Sequence, residues 1–486
     1  MTVMHVRLWN FEGIMDLNFS TRVGVALLLI FTGYKYYNAR RERSKLDTIP
    51  TLGPGGIFFS YLTVCRYIFD VRALIDEGIE KYGDNPFKIP TPGGWQVVVN
   101  GEQKYDEMRR APDDTLSSME AIEDVSPQPV VTWKSANHFT WAVDWVEYSD
   151  TVGLLQKIIT GVSNRYFVGL PLCRNDDWVA LNINLVLSVA LNSVMINLFP
   201  EVLHPIAGRI FTKRHSSLRR AVKHLAPIVE ERLEMEKQYG PRVEWPGKPN
   251  DLISWLLDEG ALNGEDWQKG SIEDIALRII TVNFVSIHTT SAAASQALYR
   301  LAANPHVANA LREEINTVLE DEGGWTKTAV MKMHLLDSYL KESSRMGMVG
   351  AVGMQRKALK DFRFSDGTFV PAGSKVAMAA HSIHRTEDSY PSPHTFQPSR
   401  YSDQGDTLKN HMTTPSWGWL AFGAGKHACP GRFFAVNELK ALLAHIVLNY
   451  DVKFASDNAK FPEPLCVATT FLPNNKGKVL FRKRRI

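Results

Sequence analysis

The sequence predicts a mainly α-helical protein with a small β region late in the chain, and three observations carry that expectation. Of 486 residues, 44% are hydrophobic and 22% charged, which provides a sizeable core and excludes a disordered, collagen-like or coiled-coil chain. Residues 271–304 contain neither proline nor glycine, so one helix of roughly 34 residues, about 50 Å long, can run until Pro305 stops it. After Arg345 the texture changes: residues 362–371 and 375–378 read as short strands around an Asp366-Gly367 turn. No internal repeat or low-complexity tract interrupts this pattern.

Charge and cysteine usage exclude other classes. The net charge of +3 is too small and too evenly spread to mark a nucleic-acid binder. Cysteines at 65, 173, 429 and 466 are too scattered for a disulfide framework and indicate a reducing compartment. No Cys-x-x-Cys pair supports a zinc ribbon.

The elements follow in order. Residues 17–37 enclose the run VGVALLLIF at 23–31; at 1.5 Å per residue they reach roughly 31 Å, the thickness of a bilayer's hydrocarbon. Tyr34, Tyr36 and Tyr37 suit the interface, and Arg40, Arg41, Arg43 and Lys45 follow as a stop-transfer flank. Residues 1–45 therefore read as an uncleaved single-pass anchor with its positive side and the body of the chain in the cytosol. A signal peptide with Arg22 in its n-region, or a buried core helix, are the alternatives. The Pro/Gly-rich stretch 46–56 reads as a hinge, and 57–486 as one catalytic domain. From about 60 to 345 the pattern is mostly helical, with loops at 112–129 and 239–249. Residues 402–431 form a long loop before a helical pattern resumes over 432–449, and loops of that length in compact domains are usually functional.

The most informative stretch is Phe422-Gly423-Ala424-Gly425-Lys426-His427-Ala428-Cys429-Pro430-Gly431-Arg432. Its glycines allow a tight loop against a flat ligand, and Cys429 precedes a helix start, where backbone N–H groups and the helix dipole favour negative charge. A cysteine held there can ligate a metal. An arbitrary lone cysteine is more often a small buried hydrophobe, and a zinc site on His427 and Cys429 lacks further ligands at suitable spacing.

These residues resemble the haem signature F-x-x-G-x-[R/H]-x-C-x-G of the cytochrome P-450 family, the haem-thiolate monooxygenases, with Phe422, Gly425, His427, Cys429 and Gly431 filling its places in order. The resemblance implies the P-450 fold, with haem b between the long central helix and the cysteine loop. It implies Cys429 as axial ligand of the haem iron, a thiolate donation that favours O–O cleavage. Phe422 then packs near the sulfur, and His427 stands where most members carry a propionate-binding arginine. Glu342-Ser343-Ser344-Arg345 fits the family's E-x-x-R, and 396–401 fits its F-x-P-x-R element. Glu342, Arg345 and Arg400 are thereby expected to form a buried structural triad. Arg356 stands near the family's second propionate contact. The likeness covers about residues 46–486, and with the anchor it suits microsomal members of the endoplasmic reticulum membrane. The stretch 165–175 resembles fungal members, including oxidisers of terpenoids.

On the long helix the family's [A/G]-G-x-[D/E]-T becomes Val285-Ser286-Ile287-His288-Thr289 here. Thr289 is retained and is expected to bond back to the carbonyl four residues earlier, as an oxygen-pocket residue. His288 replaces the acid, as a proton relay or as a core histidine bonded to a backbone carbonyl. As a relay, His288→Asp keeps catalysis coupled by restoring the usual acid. Phe284, Ile287, Met348, Val349, Val352, Thr470 and Phe471 are the candidate lining of an apolar substrate pocket.

The resemblance implies an NADPH- and O2-dependent monooxygenase hydroxylating a lipophilic fungal metabolite, a terpenoid of secondary metabolism. Electrons come from a membrane-bound NADPH-dependent reductase, with cytochrome b5 as a further donor, because the chain shows no flavin or nicotinamide motif of its own. A haem-thiolate isomerase or dehydratase needing no external electrons, and a non-catalytic membrane-anchored haem-binding protein, are the alternatives.

Overall fold

The structure, a computed structural model, describes residues 43–53, 57–92, 94–118, 145–185, 214–240, 242–262, 271–347, 350–405, 407–456, 458–467 and 469–485, with isolated positions at 33, 37, 40, 41 and 121. Most of the expected anchor, and Met348 and Val349 of the candidate pocket, lie outside the described residues.

Helices α1 (Ile57–Phe69), α2 (Val71–Tyr82) and α3 (Glu102–Arg110) flank the first two strands, and α4 (Thr151–Phe167), α5 (Arg214–Tyr239) and α6 (Leu252–Leu262) precede the long α7 (Ser271–Ala303). Then come α8 (Val307–Asp321), α9 (Lys327–Lys332), α10 (His334–Met346), the short α11 (Ala380–Ile383) and α12 (Arg432–Asn449). The expected 34-residue helix is thus present with 33 residues, and the helix expected at 432–449 has those bounds. α7 has the length and composition of a membrane span, yet its two ends serve two separate cores. Ile275, Ala276, Ile279 and Ile280 pack with α5, α6 and the end of α4. Ala294, Leu298 and Leu301 pack with α10 and α12. The segment from Asn283 to Ser291 lies between these cores.

The β region is larger than the sequence suggested, and it begins early. Strands β1 (Phe87–Thr91), β2 (Gly94–Val99), β3 (Leu116–Ser117), β5 (Gly353–Ala358) and β8 (Lys375–Met378) form one sheet in the order β1-β2-β8-β5-β3, with only the β2-β8 pair parallel. The run Trp95 to Val99 is nearly all buried, so it shows no alternation for sequence reasoning to detect. β4 (Val146–Tyr148) joins β12 (Val479–Lys483) and β9 (Tyr450–Phe454) in a second sheet. Two hairpins remain: β6 (Phe362–Arg363) with β7 (Phe369–Val370), turning at Gly367 as expected, and β10 (Leu465–Val467) with β11 (Thr470–Leu472).

The expected hinge at 46–56 needs correction over its first half. Leu46, Ile49 and Leu52 are 2%, 3% and 1% exposed and belong to the sheet core. Lys88 N–H donates to Pro50 O at 2.8 Å, Leu52 N–H donates to Lys88 O at 3.0 Å, and the buried Lys88 ammonium reaches Leu46 O. Apolar residues three apart along this stretch turn a Pro/Gly-rich segment into a strap bound to β1. Residues 54–56 lie outside the described residues. Deleting residues 1–45 is therefore expected to leave the thermal midpoint near that of the full chain. Deleting 1–53 removes three buried side chains, each worth about 1.5–3 kcal/mol, and should cost a midpoint drop of many degrees in a thermal melt.

Candidate active site

The cysteine loop is closed by its own backbone. Cys429 N–H donates to Phe422 O at 2.8 Å, and the turn between them needs positive φ at Gly423 (64°) and Gly425 (69°). A Cβ on Gly425 would sit 2.4 Å from Arg109 O, so only glycine lets the loop lie against α3. Gly431 caps α12 without a side-chain bond, and a Cβ there would touch Cys429 Sγ at 3.9 Å. Arg432 fixes the far side, donating from Nη1 to Cys429 O (2.8 Å) and from Nε to Thr413 O (3.0 Å). Phe422 packs into the α7–α12 core with its ring edge to Trp419. Cys429 itself is half-buried. His427 is engaged by the Asp113 carboxylate, which Lys426 also approaches at 2.9 Å. The hydrogen bonds from Lys426 and His427 hold Asp113 below the usual carboxylate range.

On α7, Thr281, Val285 and Thr289 are exposed at a spacing of four, a stripe among buried and half-buried neighbours; Val285 is 58% exposed. Thr289 Oγ1 donates to Val285 O at 2.8 Å, the back-bond expected of it, and lies 3.3 Å from Ser286 O. Phe284 is half-buried beside this stripe. Ile287 is fully buried, so the structure does not bring it to the open face: two residues before Thr289, it points about 200° away from it. His288 is also turned off the face. Its Nε2 lies 3.3 Å from Ile183 O and its Nδ1 3.4 Å from Gln156 Nε2.

Arg356, on β5, is 4% exposed and donates to Gln355 O at 2.9 Å. Among the described residues it forms no ion pair, and burial pulls its guanidinium below the ordinary value, with Asp113 opposing. A buried cation in that state is suited to an anionic group brought in by a ligand. Val352 and Phe471 both lie in the sheet core, where the bridge between Gly350 and Thr470 and the bond from Ala351 N–H to Thr469 O tie their segments together.

The three charges expected as a triad do meet. Arg345 donates to both oxygens of Glu342 (2.7 and 2.9 Å), and Arg400 Nε donates to Oε1 at 3.1 Å. Glu342 and Arg345 are wholly buried and Arg400 is 7% exposed. Burial opposes the charge on Arg345, and the Glu342 bonds more than offset it, so the guanidinium is held above its usual value. The remaining donors are satisfied by His384 O, Pro393 O, Pro391 O and Thr395 O, and Gln397 N–H also donates to Glu342. The triad thereby pins the 391–400 segment to α10.

The chain matches the Cytochrome P450 family over residues 62–481. It belongs to that family. It is similar to Cytochrome P450 monooxygenase 151 of Postia placenta, 38% identical over 95% of this chain and 97% of the relative. It is also similar to Cytochrome P450 monooxygenase CYP512U6 of Ganoderma lucidum, at 32% identity over 92% and 94%, and to Cytochrome P450 monooxygenase atmQ of Aspergillus flavus, at 28% over 93% and 90%. These relatives are fungal oxidoreductases. The family binds haem and generally takes electrons from a redox partner for work on lipophilic substrates. The residues present fit that cofactor: a half-buried thiol at a helix start, a glycine cradle beside it and a buried arginine with no carboxylate paired to it among the described residues.

Several polar residues of this P450 gave no motif-level signal. α4 carries Gln156, Ser163 and Asn164 on its inner face. Gln156 meets His288; Asn164 donates to Asn283 Oδ1 at 2.7 Å and accepts from Trp178 Nε1 at 2.8 Å; Ser163 donates to Glu438 at 2.9 Å. Their only sequence signal is polarity at buried positions of amphipathic helices. Glu438, on α12, keeps one oxygen without a partner among the described residues, and burial pushes its carboxyl up to about 7, with Ser163 opposing. A carboxyl raised from 4.5 to about 7 on folding costs stability as pH rises through that window. Glu438→Gln should melt close to the parent at pH 4.5 and above it at pH 8, by up to about 3 kcal/mol.

Proposed function

We propose that this P450 is an NADPH- and O2-dependent monooxygenase that hydroxylates a lipophilic fungal metabolite, a terpenoid of secondary metabolism, at the endoplasmic reticulum membrane. The observation that carries it is Cys429, held at the start of α12 in a loop that closes on its own glycines. In this reading Cys429 would ligate the haem iron, Arg356 would hold a propionate, His427 would hold the other on leaving Asp113, and Gly431 would leave room beside the sulfur. Bound haem supplies the reductive activation of O2, while the chain's own residues order protons and substrate. Thr289 offers its hydroxyl on the open stripe of α7 and holds a proton at Oγ1. Phe284, half-buried beside that stripe, with Met348 and Val349, is the apolar surface proposed to select a lipophilic substrate, while Val352 and Phe471 back it from the sheet core. Residues 1–45 anchor the chain, which suits a substrate drawn from the membrane. Electrons arrive from an NADPH-dependent reductase, with cytochrome b5 as a second donor. The terpenoid class rests on the likeness of the 165–175 stretch to fungal members, which bears on lineage; of that stretch Phe167, Val168, Leu172 and Cys173 are core at the end of α4.

The test is the product profile of a host expressing this chain with a reductase and fed candidate terpenoids. Thr289→Ala should leave substrate binding and haem reduction nearly unchanged while diverting electrons to hydrogen peroxide. An acid–base role of this kind is worth about 10²- to 10⁴-fold, read as product formed per NADPH consumed. Unchanged coupling would mean that protons arrive by another path.

A further inference from the structure

His288 stands where the family places an acid, one residue before the threonine on the open face. Consecutive helix positions are 100° apart, so His288 leaves α7 about 100° from Thr289, and its partners on α4 and on the helical run at 176–185 show the imidazole turned into the packing between those elements. There both ring nitrogens are engaged. Nε2 faces Ile183 O at 3.3 Å, which only a protonated nitrogen satisfies, and Nδ1 faces the Gln156 amide nitrogen at 3.4 Å, which only an unprotonated nitrogen satisfies. The two neighbours select one neutral tautomer, with the proton on Nε2. Five residues earlier on α7, Asn283 makes the second tie to the same two elements, through Asn164 to Trp178. The two ties bracket the segment whose carbonyls, Val285 O and Ser286 O, receive the Thr289 hydroxyl.

We propose that His288 is a positioning residue: with Gln156 and Ile183 O it forms a neutral clasp that sets the orientation of Thr289, and it carries no proton to the reacting oxygen. The electrostatics agree. Burial pulls the imidazole down to about 4, its bond to Ile183 O opposing, and among the described residues no charged side chain on α4, the 176–185 run or α7 shifts it. A histidine depressed in the folded state contributes stability that is present above its unfolded value near 6.5 and is lost as pH falls toward 4. His288→Gln should therefore gain on the parent chain in thermal melts as pH drops through that window.

The role of Thr289 in the oxygen pocket is the reading on which the second half of this proposal rests, and the experiment separates the two. Histidine-selective 15N spectra of the full holoenzyme, with His288→Gln identifying the resonance, should show a neutral Nε2–H ring from pH 5 to pH 8. The infrared stretch of carbon monoxide on the reduced haem then probes the neighbourhood of Thr289. Thr289→Ala should shift or split that band, and His288→Ala and Gln156→Leu should do the same although neither side chain lies on the open face. His288→Gln should restore a single band and His288→Asp should not, because a carboxylate would face Ile183 O with no proton to give it. That reverses what the family pattern leads one to expect of the aspartate. An imidazole that titrates between pH 5.5 and 8, or an aspartate variant that restores the band lost in His288→Ala, overturns the proposal. A band unmoved by Thr289→Ala, with the ring still neutral, overturns the reading of Thr289 and the positioning role with it. Should His288→Ala fail to fold, Gln156→Leu and the wild-type spectrum decide between these outcomes.

Discussion

Replacing Cys429 by alanine is expected to abolish the shifted absorption band of the reduced carbon-monoxide complex and, with it, all NADPH-dependent product. The loop itself should survive. The bond from residue 429 N–H to Phe422 O and the two bonds from Arg432 use backbone atoms that alanine keeps, and α12 starts at Arg432 independently of the sulfur. The change removes one sulfur from a half-buried position, so folding should lose no more than about 1–2 kcal/mol, whereas the spectroscopic effect is all or none. Cys65 and Cys466 lie on α1 and β10, Cys173 is 3% exposed and packed in the core beyond α4, and their alanine variants should keep the band. A Cys429→Ala protein that retains it would remove the thiolate ligand from the account.

Glu342→Ala is expected to be the most destabilising single change in the protein. Glu342 is the one carboxylate within ion-pair distance of the two buried guanidinium groups of Arg345 and Arg400 among the described residues. Removing it leaves those charges uncompensated in a site that water does not reach. Breaking a buried ion pair from one side costs about 3–5 kcal/mol, set against a total stability of about 5–15 kcal/mol. The segment 391–400 should detach from α10, and soluble, haem-loaded yield should fall to a small fraction of wild type. Arg400→Lys, which keeps the charge but loses the contacts to Pro391 O and Thr395 O, should fall between. The readouts are the thermal midpoint and haem content per protein. A Glu342→Ala chain with the wild-type midpoint would show that the triad is incidental to the fold.

What the sequence disclosed follows from how locally each feature is encoded. The long helix was legible because a 33-residue stretch without proline or glycine has few other options. The cysteine loop was legible because its glycines, cysteine and helix start fall within a dozen residues, and the triad because its two motifs carry their own spacing. β1 and β2 were missed because strands covered on both faces lose their alternation, and because β2 pairs with β8, almost 280 residues later. The strap at 46–52 was read as a hinge because proline and glycine mark irregular backbone without saying whether it is docked; Leu46, Ile49 and Leu52 make that decision. His288 shows the same limit at the site. The motif fixes its position in sequence, while the direction of the ring depends on Gln156 and Ile183, which lie more than 100 residues away.

The most direct test of the account is turnover under 18O2 with a reductase, NADPH and a terpenoid that the host converts. If Cys429 holds haem for oxygen activation and Thr289 keeps the reaction coupled, each product molecule should gain one 18O atom and consume about one NADPH. Product that forms without NADPH, or that carries no 18O, would contradict the monooxygenase reading and favour an isomerase or dehydratase.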